Sequence, residues 1–215
     1  IHPPVSCKAP EGDCLEQLRS MDKKERYSRS DPHNLITKES VELTFTGVPD
    51  GETGLILGCR QTFMTTYLFY QGLAYLGRSA GYFAARIESG DRLPQRKFDR
   101  IKELLGPIEV FFQVPGGRWI RAGEISESGP IASDLHLIRL PETGSEEVKI
   151  KLRMTKGLWR IDYAALGRLG REINPIIVEP SEVQVKNNPD AGAVPLLEDQ
   201  QTPLITLPGD VYELT

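Results

Sequence analysis

Residues 148–166 read VKIKLRM, TKG, then LWRIDYAAL, and no other stretch restricts the fold as much. Side chains alternate faces along a β-strand. Val148, Ile150, Leu152 and Met154 therefore point one way, and Lys149, Lys151 and Arg153 the other. This is a half-buried strand; a helix would need apolar residues three and four apart. TKG turns the chain, and the partner strand puts Trp159, Ile161, Tyr163 and Ala165 on its core face. Arg160, Asp162 and Ala164 take the opposite face. Asp162 then meets Lys149, Lys151 and Arg153 across the hairpin, a charge ladder on a solvated surface. The sharper reading makes Arg160 and Asp162 a ligand site.

The same reasoning extends along the chain. In SVELTFTGV, Val41, Leu43 and Phe45 share one face, and Glu42, Thr44 and Thr46 the other. LILGCR is apolar on both faces, which predicts a central strand. PIEVFFQV, PGG and RWIRAGEI form a hairpin signal. LHLIRL is a further strand. Between the second and third strands the period changes. Phe63, Tyr67, Tyr70, Leu73, Ala74 and Gly77 fall three or four apart, which predicts a helix with Thr62 at its N-cap and these residues in the core. A second helix follows between Ser79 and Gly90. A third runs from Pro94 to Gly106. The expected fold is mainly β: an antiparallel sandwich over 35–215 with a short helical insertion at about 62–105. Residues 1–34, polar and rich in proline, are expected as an irregular N-terminal arm. The last residues resemble a strand that has barely begun, as in a piece of something longer.

Two likenesses accompany this reading. The segment from PIEVFFQV to WRIDYAALGRL resembles the closing strands of galactose-binding-domain-like jelly-roll sandwiches, with Ile161-Asp162-Tyr163 the most telling piece. The resemblance implies a structural last strand and a ligand held by end loops or a concave face. Residues 40–215 also resemble an uncharacterised set of bacterial exported proteins. The shared elements are Arg60-Gln61-Thr62, GPIA (129–132), WRID (159–162) and LPGD (207–210). That likeness implies a periplasmic, cell-surface or secreted protein. LPGD there leads into a further strand, which is not expected to be present here.

The chemistry expected is binding rather than catalysis. The net charge of −4, with both signs mixed along 215 residues, argues against nucleic acid or an anionic membrane as partner. No apolar run reaches the roughly 20 residues needed for a transmembrane helix. His2, His33 and His136 lie too far apart for a zinc site, and there is neither a phosphate-binding loop nor a nucleophile elbow. No cofactor is expected. Asn187, Asn188 and Asp190 have the flavour of a calcium loop, but an ordinary turn accounts for them. Cys7 and Cys14 are spaced for a small disulfide clip, with unpaired thiols as the alternative. Trp119, beside a hairpin turn, is the best candidate for an exposed aromatic platform. These observations favour a non-enzymatic binding or structural module of an exported bacterial protein whose partner is a glycan or another protein. The alternatives are a carbohydrate-binding module and a hydrolase whose carboxylates come from separate loops.

Overall fold

Alternation of apolar and polar residues places each strand with one face inward, and the computed structural model stacks those faces into two layers. It describes the chain except residues 49–50, 127–128, 143–144, 172, 175, 177, 186–187, 199–203 and 205–210, and except the side chains of 98 and 100–104. Residues Ile1–Gly170 form one compact unit and Arg171–Thr215 a second.

In the first unit, β1 (Ser6–Ala9), β2 (Gly12–Asp13), the short α1 (Leu15–Leu18) and β3 (Arg26–Tyr27) precede the long strands β4 (Lys38–Thr46) and β5 (Thr53–Gln61). Helices α2 (Phe63–Leu76), α3 (Ala80–Glu88) and α4 (Arg92–Leu105) come next. Then come β6 (Ile108–Gln113), β7 (Trp119–Ile125), β8 (Asp134–Leu140), β9 (Glu147–Thr155) and β10 (Trp159–Arg168). One antiparallel sheet runs β2-β1-β4-β9-β6-β7 and the other β3-β10-β5-β8. Both contribute to one buried core: Val41, Leu43, Phe45, Ile150 and Leu152 from the first, Leu55, Leu57, Trp159 and Ile161 from the second. The architecture is a β-sandwich compatible with a jelly roll. The second unit holds β11 (Val183–Val185), β12 (Asn188–Pro189), α5 (Ala193–Glu198) and β13 (Tyr212–Leu214), with β11 central in a small antiparallel sheet.

Several expectations hold. The β4 alternation is as read, β5 is flanked by β10 and β8, and β6 pairs with β7 as a hairpin. Others are corrected. The strands β9 and β10 do not pair. Instead β9 lies between β4 and β6, while β10 lies between β5 and β3 in the other sheet. A period of two buries one face whether two strands lie side by side or face each other across a sandwich, so the pattern cannot tell these apart. The link between them turns through Gly157 at φ +78°, packed so tightly that a Cβ there would lie 2.0 Å from the Ser30 hydroxyl.

The second correction concerns parity. The register between β10 and β5 shifts between Ile161 and Tyr163, leaving Asp162 as the extra residue of a β-bulge. Trp159 and Ile161 face the core as expected. Beyond the bulge Ala164 and Leu166 do so, and Tyr163 does not.

The third concerns residues 1–34. They carry the outer strands of both sheets, β2 and β1 beside β4 and β3 beside β10. A Cys7–Cys14 disulfide closes the β1–β2 turn. Arg26, 3 % exposed, binds both oxygens of Glu39 at 2.8 and 2.9 Å and both of Glu11 at 2.7 and 3.0 Å. The arm is therefore tied across the sandwich by charge, which apolar periodicity does not register.

The helices fall where the period predicts, but the apolar residues of α2 and α3 are not core. No residue of α2 or α3 is buried. Met64, Leu68 and Leu105 reach the margin of the core, while Tyr75 stands 92 % exposed. Thr62 has the extended backbone of an N-cap, yet its hydroxyl donates to the Gly157 carbonyl at 2.7 Å instead of capping the helix.

Candidate functional site: an arginine-lined recess on the second sheet

The strand pairing puts two cations side by side. Arg160 of β10 is the direct register partner of Arg60 of β5. Like charges opposite each other are destabilising unless an anion is shared. That anion is Glu25, just ahead of β3. Arg60 donates to both Glu25 oxygens, at 2.5 and 2.8 Å, and Arg160 donates to one of them at 3.0 Å. The third Arg60 nitrogen donates to the Pro130 carbonyl at 2.5 Å. The Arg160 guanidinium also lies 4.6 Å from the centre of the Tyr27 ring, a cation–π contact. The hydrogen bond from Arg60 holds the Glu25 carboxyl below its usual range, against the burial that pushes it upward, and Arg160 adds to the effect.

Beside this triad opens a recess of 470 Å³. It is lined by Tyr27, Ser28, Arg29 and Ser30 of β3 and the residues after it, by Arg60 and Arg160, and by Gly157 with Thr62, Phe63 and Met64 at the start of α2. Its described lining thus supplies hydroxyl and guanidinium donors, fixed positive charge and two aromatic rings, Tyr27 and Phe63. A second recess of 430 Å³ surrounds the Cys7 clip, with Lys8 and Asp13 as its charged groups.

Asp162 is not among the residues lining the recess. It is 4 % exposed, and its Oδ1 meets no donor among the described residues. Burial pushes its carboxyl up from the usual range. A backbone hydrogen bond from Lys23 and the charge of Arg60 oppose this, and the charges of Glu25 and Asp22 reinforce it. The cations expected beside it from the sequence are engaged elsewhere: Lys151 pairs with Glu42 on β4, and Arg153 with Glu109 on β6.

Trp119 lies on the other sheet, at the start of β7, with the Lys151 ammonium 4.1 Å from its ring centre. Of the three binding candidates, Arg160 and Asp162 therefore share a neighbourhood, and Trp119 stands apart. Residues 187 and 207–210 lie outside the described residues. Cys59 is buried in β5, and burial pushes its thiol up to about 12. Among the described residues no group of three or more His, Cys, Asp or Glu side chains is placed to hold a metal ion.

Sequence reasoning misses Glu25 and Tyr27, which sit in the polar arm without periodicity. Arg60 stands out only as part of the RQT segment. Three of the short segments named in the sequence nevertheless come together here. Arg60 of RQT reaches Pro130 of GPIA, the Gln61 N–H donates to the Gly129 carbonyl at 3.3 Å, and Arg160 and Asp162 belong to WRID. Comparison with known proteins found no matching family model, no matching curated protein and no matching solved structure.

Proposed function

We propose that this chain is a non-enzymatic binding module of an exported bacterial protein, built on a galactose-binding-like jelly-roll sandwich, and that its recess takes an anionic group. The observation that carries the reading is that Arg60 and Arg160, bridged by Glu25, both line an open recess. A guanidinium has five N–H donors in a planar fork suited to carboxylate, sulfate or phosphate. Arg160 makes a single bond to Glu25, so its remaining donors can serve a ligand. Arg29, exposed on the rim, adds charge. Glu25 sets the two arginines in place and keeps them from repelling each other. The Cys7–Cys14 disulfide supports an oxidising, extracytoplasmic setting. An acidic sugar or a carboxylate-bearing protein segment fits this chemistry, in keeping with a glycan or protein partner.

Thermal shift with glucuronate, galacturonate and sulfated oligosaccharides, against their neutral counterparts, tests the reading. Acidic ligands should raise Tm, salt should weaken the effect, and Arg29→Ser with Arg160→Met should abolish it. Equal response to neutral sugars, or an undiminished response in that variant, would remove the recess as the site. A sugar response lost in Trp119→Ala would instead assign binding to the hairpin tryptophan.

A further inference from the structure

We propose that the helical insertion is a membrane-docking device that lays α2 into the headgroup region of an anionic lipid bilayer. From Phe63 to Gly77 the chain contains no charged residue. It forms a helix whose apolar and tyrosine side chains surround the axis instead of lining one stripe, and none of them is buried. A helix apolar all round is normally enclosed, either in a protein core or in lipid. In α2, Phe63, Tyr67, Tyr70 and Tyr75 are 57–92 % exposed.

Length decides how such a helix can meet lipid. Fourteen residues rise about 21 Å, short of the roughly 30 Å hydrocarbon thickness. No described helix is long and apolar enough to cross a membrane. The position left to α2 is the interface. Tyrosine suits that depth because its ring is apolar and its hydroxyl hydrogen-bonds to headgroups and water.

Charge selects the surface. Residues 62–105 carry seven Arg and Lys against four Asp and Glu, a net +3, while the rest of the chain has 19 against 26, a net −7. The mixed overall balance therefore conceals a segregated one. Of the seven cations, Arg86 is engaged by Asp91, whereas Arg78, Arg92, Arg96 and Lys97 are exposed. An aromatic, basic insertion in an otherwise acidic chain matches an anionic lipid surface. The same charge disfavours a second copy as occupant, since a two-fold contact between insertions would set +3 against +3.

Sedimentation of the full chain with vesicles of phosphatidylcholine alone, or with about one-third phosphatidylglycerol, tests the proposal. We expect partition onto the anionic vesicles only, reversed at about 0.5 M salt. Arg92→Ser, Arg96→Ser and Lys97→Ser together should lower it on the order of 100-fold. A triple Tyr67→Ser, Tyr70→Ser, Tyr75→Ser variant should lower it as well. All six positions are exposed, so an unchanged far-UV spectrum is expected. Should either variant misfold, the lipid and salt dependence of the parent chain decides alone. Absence of partition, or equal partition onto neutral vesicles, overturns the proposal. So does a concentration-dependent dimer abolished by the tyrosine variant, which would make a second copy the occupant.

Discussion

The Arg26–Glu39 pair offers the sharpest test of how the arm is held. Arg26 lies in β3 of one sheet and Glu39 in β4 of the other, with side chains 3 % and 1 % exposed. Replacing Arg26 by Met removes four charge-assisted hydrogen bonds. The two carboxylates then fare differently. Glu11 is 47 % exposed and rehydrates at little cost. Glu39 cannot, and keeps only the Ser28 hydroxyl, at 2.6 Å. A buried charge left without its partner costs about 3–5 kcal/mol. For a unit of this size that corresponds to a fall in Tm on the order of 10 °C. Adding Glu39→Leu to Arg26→Met removes the stranded charge, and the double variant should lie within about 1 kcal/mol of the parent, because apolar replacements of buried ion pairs are often neutral. The coupling between the two changes is therefore expected to exceed about 2 kcal/mol. Urea unfolding followed by tryptophan emission measures it in the right unit, since both tryptophans, Trp119 and Trp159, lie in residues 1–170. A single variant within about 1 kcal/mol of the parent, or a double variant as damaged as the sum of its parts, would refute the argument that desolvation dominates at this pair.

Three shorter predictions concern neighbouring features. Cys7→Ser with Cys14→Ser removes a short covalent loop and should lower stability by about 2.5 kcal/mol, read as an earlier urea midpoint; an unchanged midpoint would mean the unfolded chain gains nothing when the loop opens. Asp162 has a folded-state pKa above its unfolded value, so its contribution to stability is present below the unfolded value and lost as pH rises through the folded one. Asp162→Asn should therefore match the parent below about pH 4 and exceed it toward neutral pH, and parallel pH–stability curves would count against this. Gly157→Ala places a Cβ against Ser30 at a positive φ and should cost more than about 1 kcal/mol while weakening any ligand response of the recess it lines; a neutral outcome in both assays would show that the turn can open.

The local code of this chain is strong where burial has a period. Val41-Leu43-Phe45 and Val148-Ile150-Leu152-Met154 announce strands, the PGG hairpin announces itself through its turn, and the spacing from Phe63 to Gly77 announces a helix. In each case a side chain's direction follows from backbone geometry alone. The composition of the site is half legible. Arg160 and Asp162 stand out by interrupting an apolar run, whereas Glu25 is one of many charges in a polar arm, and nothing in its neighbours marks it as the anion between two arginines.

The remaining decisions needed the third dimension. Whether β10 lies beside β9 or across from it is a choice between hydrogen-bond partners, and period-two alternation serves both arrangements equally well. A single bulge at Asp162 reverses the parity of every residue after it, which removes Tyr163 from the core although its sequence position calls for it. The helices show the converse. Their apolar content is plain in the sequence, but burial depends on what other surface is available to cover them, and the two sheets of this sandwich already fill each other. Where burial has a period, residue order alone settled strand or helix, because that is a short-range matter of sterics and spacing. Tertiary structure settled which surfaces meet, because that depends on groups distant in sequence competing for the same partner.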